Sequence, residues 1–160
     1  MSYIEWLENS LTDKLQEQPV GEPVALRAYL ELSDDHGHLV PTAGAMAAVA
    51  GAWFDAGLPK VYALGGADQG YVSVTATYPG GQTALIVAES LSAAAGERPS
   101  VRLLLIGNHG TMEFADSPGA DFRTVDRTPP AGASSEALSR AIAESLRSGA
   151  PVEGRAHSRG

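Results

Sequence analysis

At 160 residues with 44% apolar side chains, the chain has the size of one domain able to bury a core without metals or disulfides. A formal charge of −8, with only 11 Lys and Arg and no basic cluster, has the wrong sign for attraction to a phosphate backbone and excludes nucleic acid as a partner. The absence of cysteine excludes thiol catalysis, a disulfide frame and cysteine-ligated metal, and it fits a reducing compartment.

The N-terminus, MSYIEWLENS, carries acids where a leader would carry a basic segment and an apolar stretch, and no run of about 18 apolar residues follows anywhere. The expectation is a soluble cytoplasmic protein with no membrane contact. Residues 2 to 17 predict a helix, with Ser2 and Glu5 in capping-box spacing and a stripe of Ile4, Leu7, Leu11 and Leu15. After the stiff connector Pro19 to Pro23, Val24 to Leu32 alternates Val24, Leu26, Ala28, Leu30 and Leu32 against Ala25, Arg27, Tyr29 and Glu31, which predicts a strand. Ser33 to His38 is a polar loop. Thr42 to Ala56 predicts a helix rich in Ala and Gly, with Met46, Val49, Trp53 and Phe54 on one face and Gly57 as its stop. So many small side chains let its backbone approach a sheet closely, so it should be the most buried helix.

From Val61 to Phe114 four strand-like runs follow, separated at Gly65 to Gly70, at Pro79-Gly80-Gly81 and at a looser stretch before Pro99. They read as an antiparallel meander. Val72, Val74 and Ala76 fall on one face and Ser73, Thr75 and Thr77 on the other, whereas Thr83 to Val87 and Val101 to Ile106 are apolar on both. Asp116 to Ala133 lacks periodicity apart from a short strand-like run at Phe122 to Val125. Ser134 or Ser135 then caps a helix through Ser148, with the stripe Leu138, Ala141, Ile142 and Leu146. One domain over 1–152 and a tail over 153–160 complete the reading.

Few residues suggest chemistry. His36 and His38, with Asp34 and Asp35, are suitable metal ligands. A His-x-His pair in an Asp/Gly-rich turn has no fixed geometry, so no metal is expected there. His109 lies beside Gly110 in a tight turn and points to solvent. Gly65 to Gly70 lacks the Lys-Ser/Thr pair and following helix of a phosphate cradle, and no G-x-S-x-G elbow accompanies the Ser, His and Asp present. Trp6, Tyr3 and Tyr71 read as core or interface residues.

Four phrases in order resemble the C-terminal domain of the glucose-fructose oxidoreductase and inositol dehydrogenase (Gfo/Idh/MocA) family. Val20-Gly21-Glu22-Pro23-Val24 resembles its entry strand, and Gly57-Leu58-Pro59-Lys60-Val61 its G-x-P phrase. Gly107-Asn108-His109-Gly110-Thr111-Met112-Glu113 is similar to its G-x-x-G-T-x-E turn. Ala141-Ile142-Ala143-Glu144-Ser145-Leu146 through Gly149, Pro151 and Val152 is similar to its closing helix. The resemblance implies an α+β fold of the dihydrodipicolinate-reductase-like C-terminal type: an open, mainly antiparallel sheet with helices packed on one face.

The departures are equally specific. The 160 residues contain no strand followed by G-x-G-x-x-G, and the family's cofactor site and E-K-P lysine belong to an N-terminal Rossmann domain with no counterpart here. Counting back from Gly57, its H-x-x-D phrase falls on Ala47 and Ala50. Alanine transfers no proton. The sequence therefore predicts a non-catalytic domain without catalytic residues or cofactor, acting as an oligomerisation or binding module. Two alternatives are a subunit completing an oxidoreductase with a separate Rossmann-domain or full-length oxidoreductase partner, and a small-ligand carrier using the former substrate face. Helices cover one face of such a sheet, so the apolar residues on the other need a partner. The expectation is a homodimer through the sheet face, with Leu85, Val87, Leu103 and Leu105 at the interface.

Overall fold

A computed structural model describes residues 3–17, 19–32, 38–90, 100–116 and 133–155. Helix α1 (Tyr3–Glu17) buries Ile4, Leu7 and Leu11, the expected stripe, while the Leu15 side chain and Ser2 of the predicted cap lie outside the described residues. Strand β1 (Pro23–Leu32) buries Leu26, Ala28, Leu30 and Leu32 and turns Arg27, Tyr29 and Glu31 the other way. Helix α2 (Leu39–Trp53) follows, then β2 (Lys60–Gly66), a 3-10 turn, β3 (Tyr71–Thr77), β4 (Thr83–Ser90), β5 (Ser100–Gly107) and β6 (Gly110–Asp116). Helix α3 (Ala133–Ser148) and β7 (Val152–Glu153) close the described chain. The strand-like run at Phe122 to Val125 lies outside the described residues.

The strands form one seven-stranded sheet in the order β6-β5-β1-β4-β3-β2-β7. All neighbours are antiparallel except β1 and β4, which run parallel. The predicted meander is therefore split. β2, β3 and β4 do follow one another through tight turns, but β1 inserts between β4 and β5, pairing Ala28 with Ile86 on one side and Leu103 on the other. Residues 91 to 99 make a longer connection than the roughly two to five residues that force hairpin neighbours, so nothing local ties β4 to β5. β1, half-buried by its alternation, fills the position.

The helices lie on one face, and the core is built there from Leu26, Leu30, Met46, Val74, Ile86, Leu105, Met112, Leu138 and Ile142 among others. Helix α2 packs over β4 and β3 beside α3, which lies over β2, and it buries residues from Leu39 to Gly51, as its composition predicted. A Cβ on Gly44 would stand 2.3 Å from Ser139 Oγ and 2.9 Å from the Ser139 backbone nitrogen, so the crossing with α3 requires glycine. α2 stops earlier than expected. Asp55, at φ 49°, takes the left-handed position assigned to Gly57, and the Ala56 and Asp55 N–H groups close onto the carbonyls of Gly51 and Ala52 at 3.0 and 3.2 Å. This is a Schellman closure, which caps the last carbonyls two residues before the glycine.

The sheet pairing runs past the boundary expected at residue 152. Val152 and Glu153 pair with Val61 and Lys60, Lys60 Nζ lies 3.4 Å from Glu153 Oε1, and the Gly154 N–H donates to the Pro59 carbonyl at 2.8 Å. The sheet edge supplies backbone partners that composition alone does not reveal. Residues 156–160 lie outside the described residues.

Candidate functional site

The four phrases come together in space as two backbone clasps. At the first, the His109 N–H donates to the Val20 carbonyl and the Asn108 N–H to the Glu22 carbonyl, each at 3.0 Å, while the Glu22 N–H donates to Asn108 Oδ1 at 2.8 Å. Gly21 sits inside this clasp at φ 78°, where an added Cβ would meet Asn108 Oδ1 at 2.2 Å. At the second, Val61 of the G-x-P phrase pairs with Val152 of the closing phrase, and Ser145 Oγ accepts from the Ala63 N–H at 2.9 Å and donates to the Ala150 carbonyl at 2.7 Å, joining α3 to β2 and to the approach of β7. These phrases thus hold backbone together. His109 is exposed, as expected, and serves the first clasp through its main chain.

The two positions of the resembled H-x-x-D phrase are fully buried methyl groups. Ala47 and Ala50 lie in the middle of α2, and the Tyr78 hydroxyl donates to the Ala47 carbonyl at 2.5 Å. Burial raises the Tyr78 pKa well above its ordinary value. A cavity of about 310 Å³ adjoins Ala47, Gly51, Ala52, Asp55, Tyr78 and Ser134. Asp55 is the one carboxylate of its lining, and it stands exposed at the helix end.

Of the predicted metal ligands, His36 lies outside the described residues and His38 is half-buried just before α2. Among the described residues no group of three or more His, Asp or Glu is placed to hold a metal. Gly65 and Gly66 end β2 and lead into the exposed 3-10 turn. Trp6 is half-buried against Phe114 of β6, with ring centroids 6.5 Å apart, whereas Tyr71 is exposed. The Tyr3 side chain lies outside the described residues.

The sheet face opposite the helices carries more differentiated chemistry. Registers across the sheet put Glu113, Leu104, Arg27, Leu85 and Thr75 in one row, and Ala115, Arg102, Tyr29, Val87 and Ser73 in the next. Strands β6, β5, β1 and β4 shape this part into a shallow groove of about 590 Å³. Leu85, 41% exposed, and the half-buried Val87 lie on this face as expected. Leu103 and Leu105 do not. At 4% and 0% exposure they point under the helices, and Leu104 and Ile106 take the open-face positions of β5. The four predicted interface residues therefore do not share a face, because β4 turns its even-numbered residues inward and β5 its odd-numbered ones.

Alternation in β1 already listed Arg27, Tyr29 and Glu31 together on the polar side, but not their partners. The Tyr29 hydroxyl donates to Glu89, Ser100 Oγ donates to Glu31 Oε2 at 2.6 Å, and the Arg102 guanidinium lies 4.9 Å from the centre of the Tyr29 ring. The hydrogen bond to Glu89 is the main cause that pushes the Tyr29 pKa up to about 12, with burial and the Glu89 and Glu31 charges adding and Arg102 opposing. A tyrosine raised above its ordinary 10.0 contributes stability that is fully present below about pH 10 and is lost as pH rises through about 12. Tyrosinate absorbance should show Tyr29 and Tyr78 ionising above the ordinary tyrosine value of 10.0. Tyr29→Phe should remove one late step and flatten the loss of stability in that window; a titration unchanged by Tyr29→Phe would reject the assignment.

An open α+β sheet with helices on one face and a groove on the other defines the class. No family profile and no curated protein sequence matches the chain. Solved structures do match. A probable dehydrogenase from Thermotoga maritima superposes with a TM-score of 0.61 at 12% identity, over 94% of this chain and 62% of its own. Apo scyllo-inositol dehydrogenase from Lactobacillus casei gives 0.60 at 11%, over 94% and 60%. The form of that enzyme with bound NAD(H) and scyllo-inositol gives 0.56 at 14%, over 95% and 62%. The fold is that of the C-terminal domain of the Gfo/Idh/MocA dehydrogenases. The chain spans about three fifths of the length of the dehydrogenases it matches.

Proposed function

We propose that the chain is a non-catalytic module of the inositol-dehydrogenase fold that self-associates through its open sheet face. The observation that carries this reading is the uncovered face itself, on which Leu85 is large and exposed and Val87, Leu104 and Ile106 are only half-buried. Apolar surface shared by several adjacent strands is stabilised when a partner removes it from water, and a two-fold pairing of identical faces closes the assembly. Ala47 and Ala50 support the non-catalytic part, since neither side chain can exchange a proton with a hydroxyl. The relative from Lactobacillus casei holds NAD(H) and scyllo-inositol, and these are the ligands against which absence of chemistry is tested.

Light scattering behind size exclusion should return a dimer mass at micromolar concentration, and the double variant Leu85→Lys with Leu104→Lys should return a monomer that keeps its helical circular dichroism. NADH fluorescence should not change saturably on titration. A wild-type monomer would reject self-association, a dimer indifferent to both lysines would reject the face, and saturable micromolar NADH binding would reject the non-catalytic reading.

A further inference from the structure

We infer that Arg27 and Glu113 set the register of the paired faces, each Arg27 meeting the Glu113 of a second copy across a two-fold axis that runs along β5 over Leu104. The inference rests on the proposed sheet-face pairing. Arg27, Leu104 and Glu113 occupy one row of the open face, on β1, β5 and β6. The two charged residues are thus two strand spacings apart, roughly 10 Å, beyond direct pairing and beyond the roughly 8 Å over which physiological salt leaves exposed charges in contact. Among the described residues neither has an ion-pair or hydrogen-bond partner. The other acids of the face differ, since Glu31 bonds Ser100 and Glu89 bonds Tyr29.

An unpaired cation and an unpaired anion placed symmetrically about a half-buried leucine are self-complementary. A two-fold axis over Leu104 exchanges their positions, so one contact made twice neutralises both charges and stacks Leu104 on its own copy. The neighbouring row accommodates this. Arg102 sits on the same strand as Leu104, but its guanidinium is drawn over the Tyr29 ring, away from the axis, so the two copies of Arg102 lean in opposite directions. Tyr29 then faces the small Ala115, which leaves room for the stacked guanidinium. The outer edge of the second copy's β6 falls against Leu85 and Val87, the apolar side of the groove.

The test exploits exposed positions and a chain without cysteine. Arg27→Glu and Glu113→Arg should each raise the dimer dissociation constant about tenfold or more, equivalent to about 1.4 kcal/mol. The two variants mixed should form a heterodimer, and the double swap in one chain should recover wild-type affinity. In the same series Leu104→Cys should be captured by a bis-maleimide of about 10 Å reach, the spacing of packed sheets, whereas Leu64→Cys, far from the axis, should not. Reversals that pair as tightly as wild type, a double swap no better than either single change, or capture at position 64 in preference to 104 would overturn the register. Those results with a monomeric Leu85→Lys, Leu104→Lys variant would leave the sheet-face reading standing; a dimer in that variant would remove both.

Discussion

Truncating Leu105 to alanine should lower the free energy of unfolding by about 2 to 5 kcal/mol, the range for a large aliphatic side chain removed from a core that relaxes incompletely. Leu105 is fully buried, pairs with Leu26 and Met112 on its two sides, and lies under the helices. Leu85→Ala should cost under about 1 kcal/mol of the stability of the isolated fold, because a side chain 41% exposed leaves no closed cavity behind. Self-association stabilises the folded state by mass action, so the comparison belongs in the Leu104→Lys background, where both proteins unfold as monomers. Urea midpoints with unchanged slope would read the difference. Equal losses at the two positions would place Leu85 and Leu105 on the same face, with the inward and outward residues of β4 exchanged.

That exchange is where sequence reasoning failed, and the reason is physical. Alternation has a period of two and says which residues share a face, but not which face is the core; only the register with a neighbouring strand fixes that. In β3 polarity settles the matter, since Ser73, Thr75 and Thr77 cannot be the core side of Val72, Val74 and Ala76. In β4 it misleads. The inward residues Ala84 and Ala88 are smaller than the outward Leu85 and Val87, because the small-residue backbone of α2 lies close above β4. The matching signal was present in the sequence, as an alanine-rich strand opposite an alanine- and glycine-rich helix, but it becomes readable only when the two are known to touch.

The helical stripes and the order of the four phrases were legible because each depends on local spacing. Position in the sheet was not, since the insertion of β1 between β4 and β5 is a long-range choice that no turn dictates. On the open face, Arg27, Tyr29 and Glu31 could be grouped from alternation. Their partners Arg102, Glu89 and Ser100 come from two other strands and needed the register.

Ser145 shows how a phrase read as a mark of resemblance becomes a physical requirement. It is a fully buried polar residue on α3, flanked in the stripe by Ile142 and Leu146, and Ile142 is fully buried while Leu146 is only partly so. Its hydroxyl accepts from the Ala63 N–H of β2 and donates to the Ala150 carbonyl beyond the helix end. Ala63 also pairs with Val74 across the strand, but its N–H points toward α3, outside the ladder that ends with β7 at Val61. Ser145→Ala should therefore leave the buried Ala63 donor without a partner, while the carbonyl of the exposed Ala150 turns to water, for a loss of about 1 to 3 kcal/mol. Threonine keeps the hydroxyl and should recover part of it, less the strain of an added methyl in a packed site. Chemical denaturation of the two variants would measure the loss, and amide exchange at Ala63 should accelerate in Ser145→Ala beyond what the global destabilisation accounts for. A Ser145→Ala protein as stable as wild type would mean that the helix reaches the sheet through Leu138, Ala141 and Ile142 alone, and that the serine is incidental to the clasp.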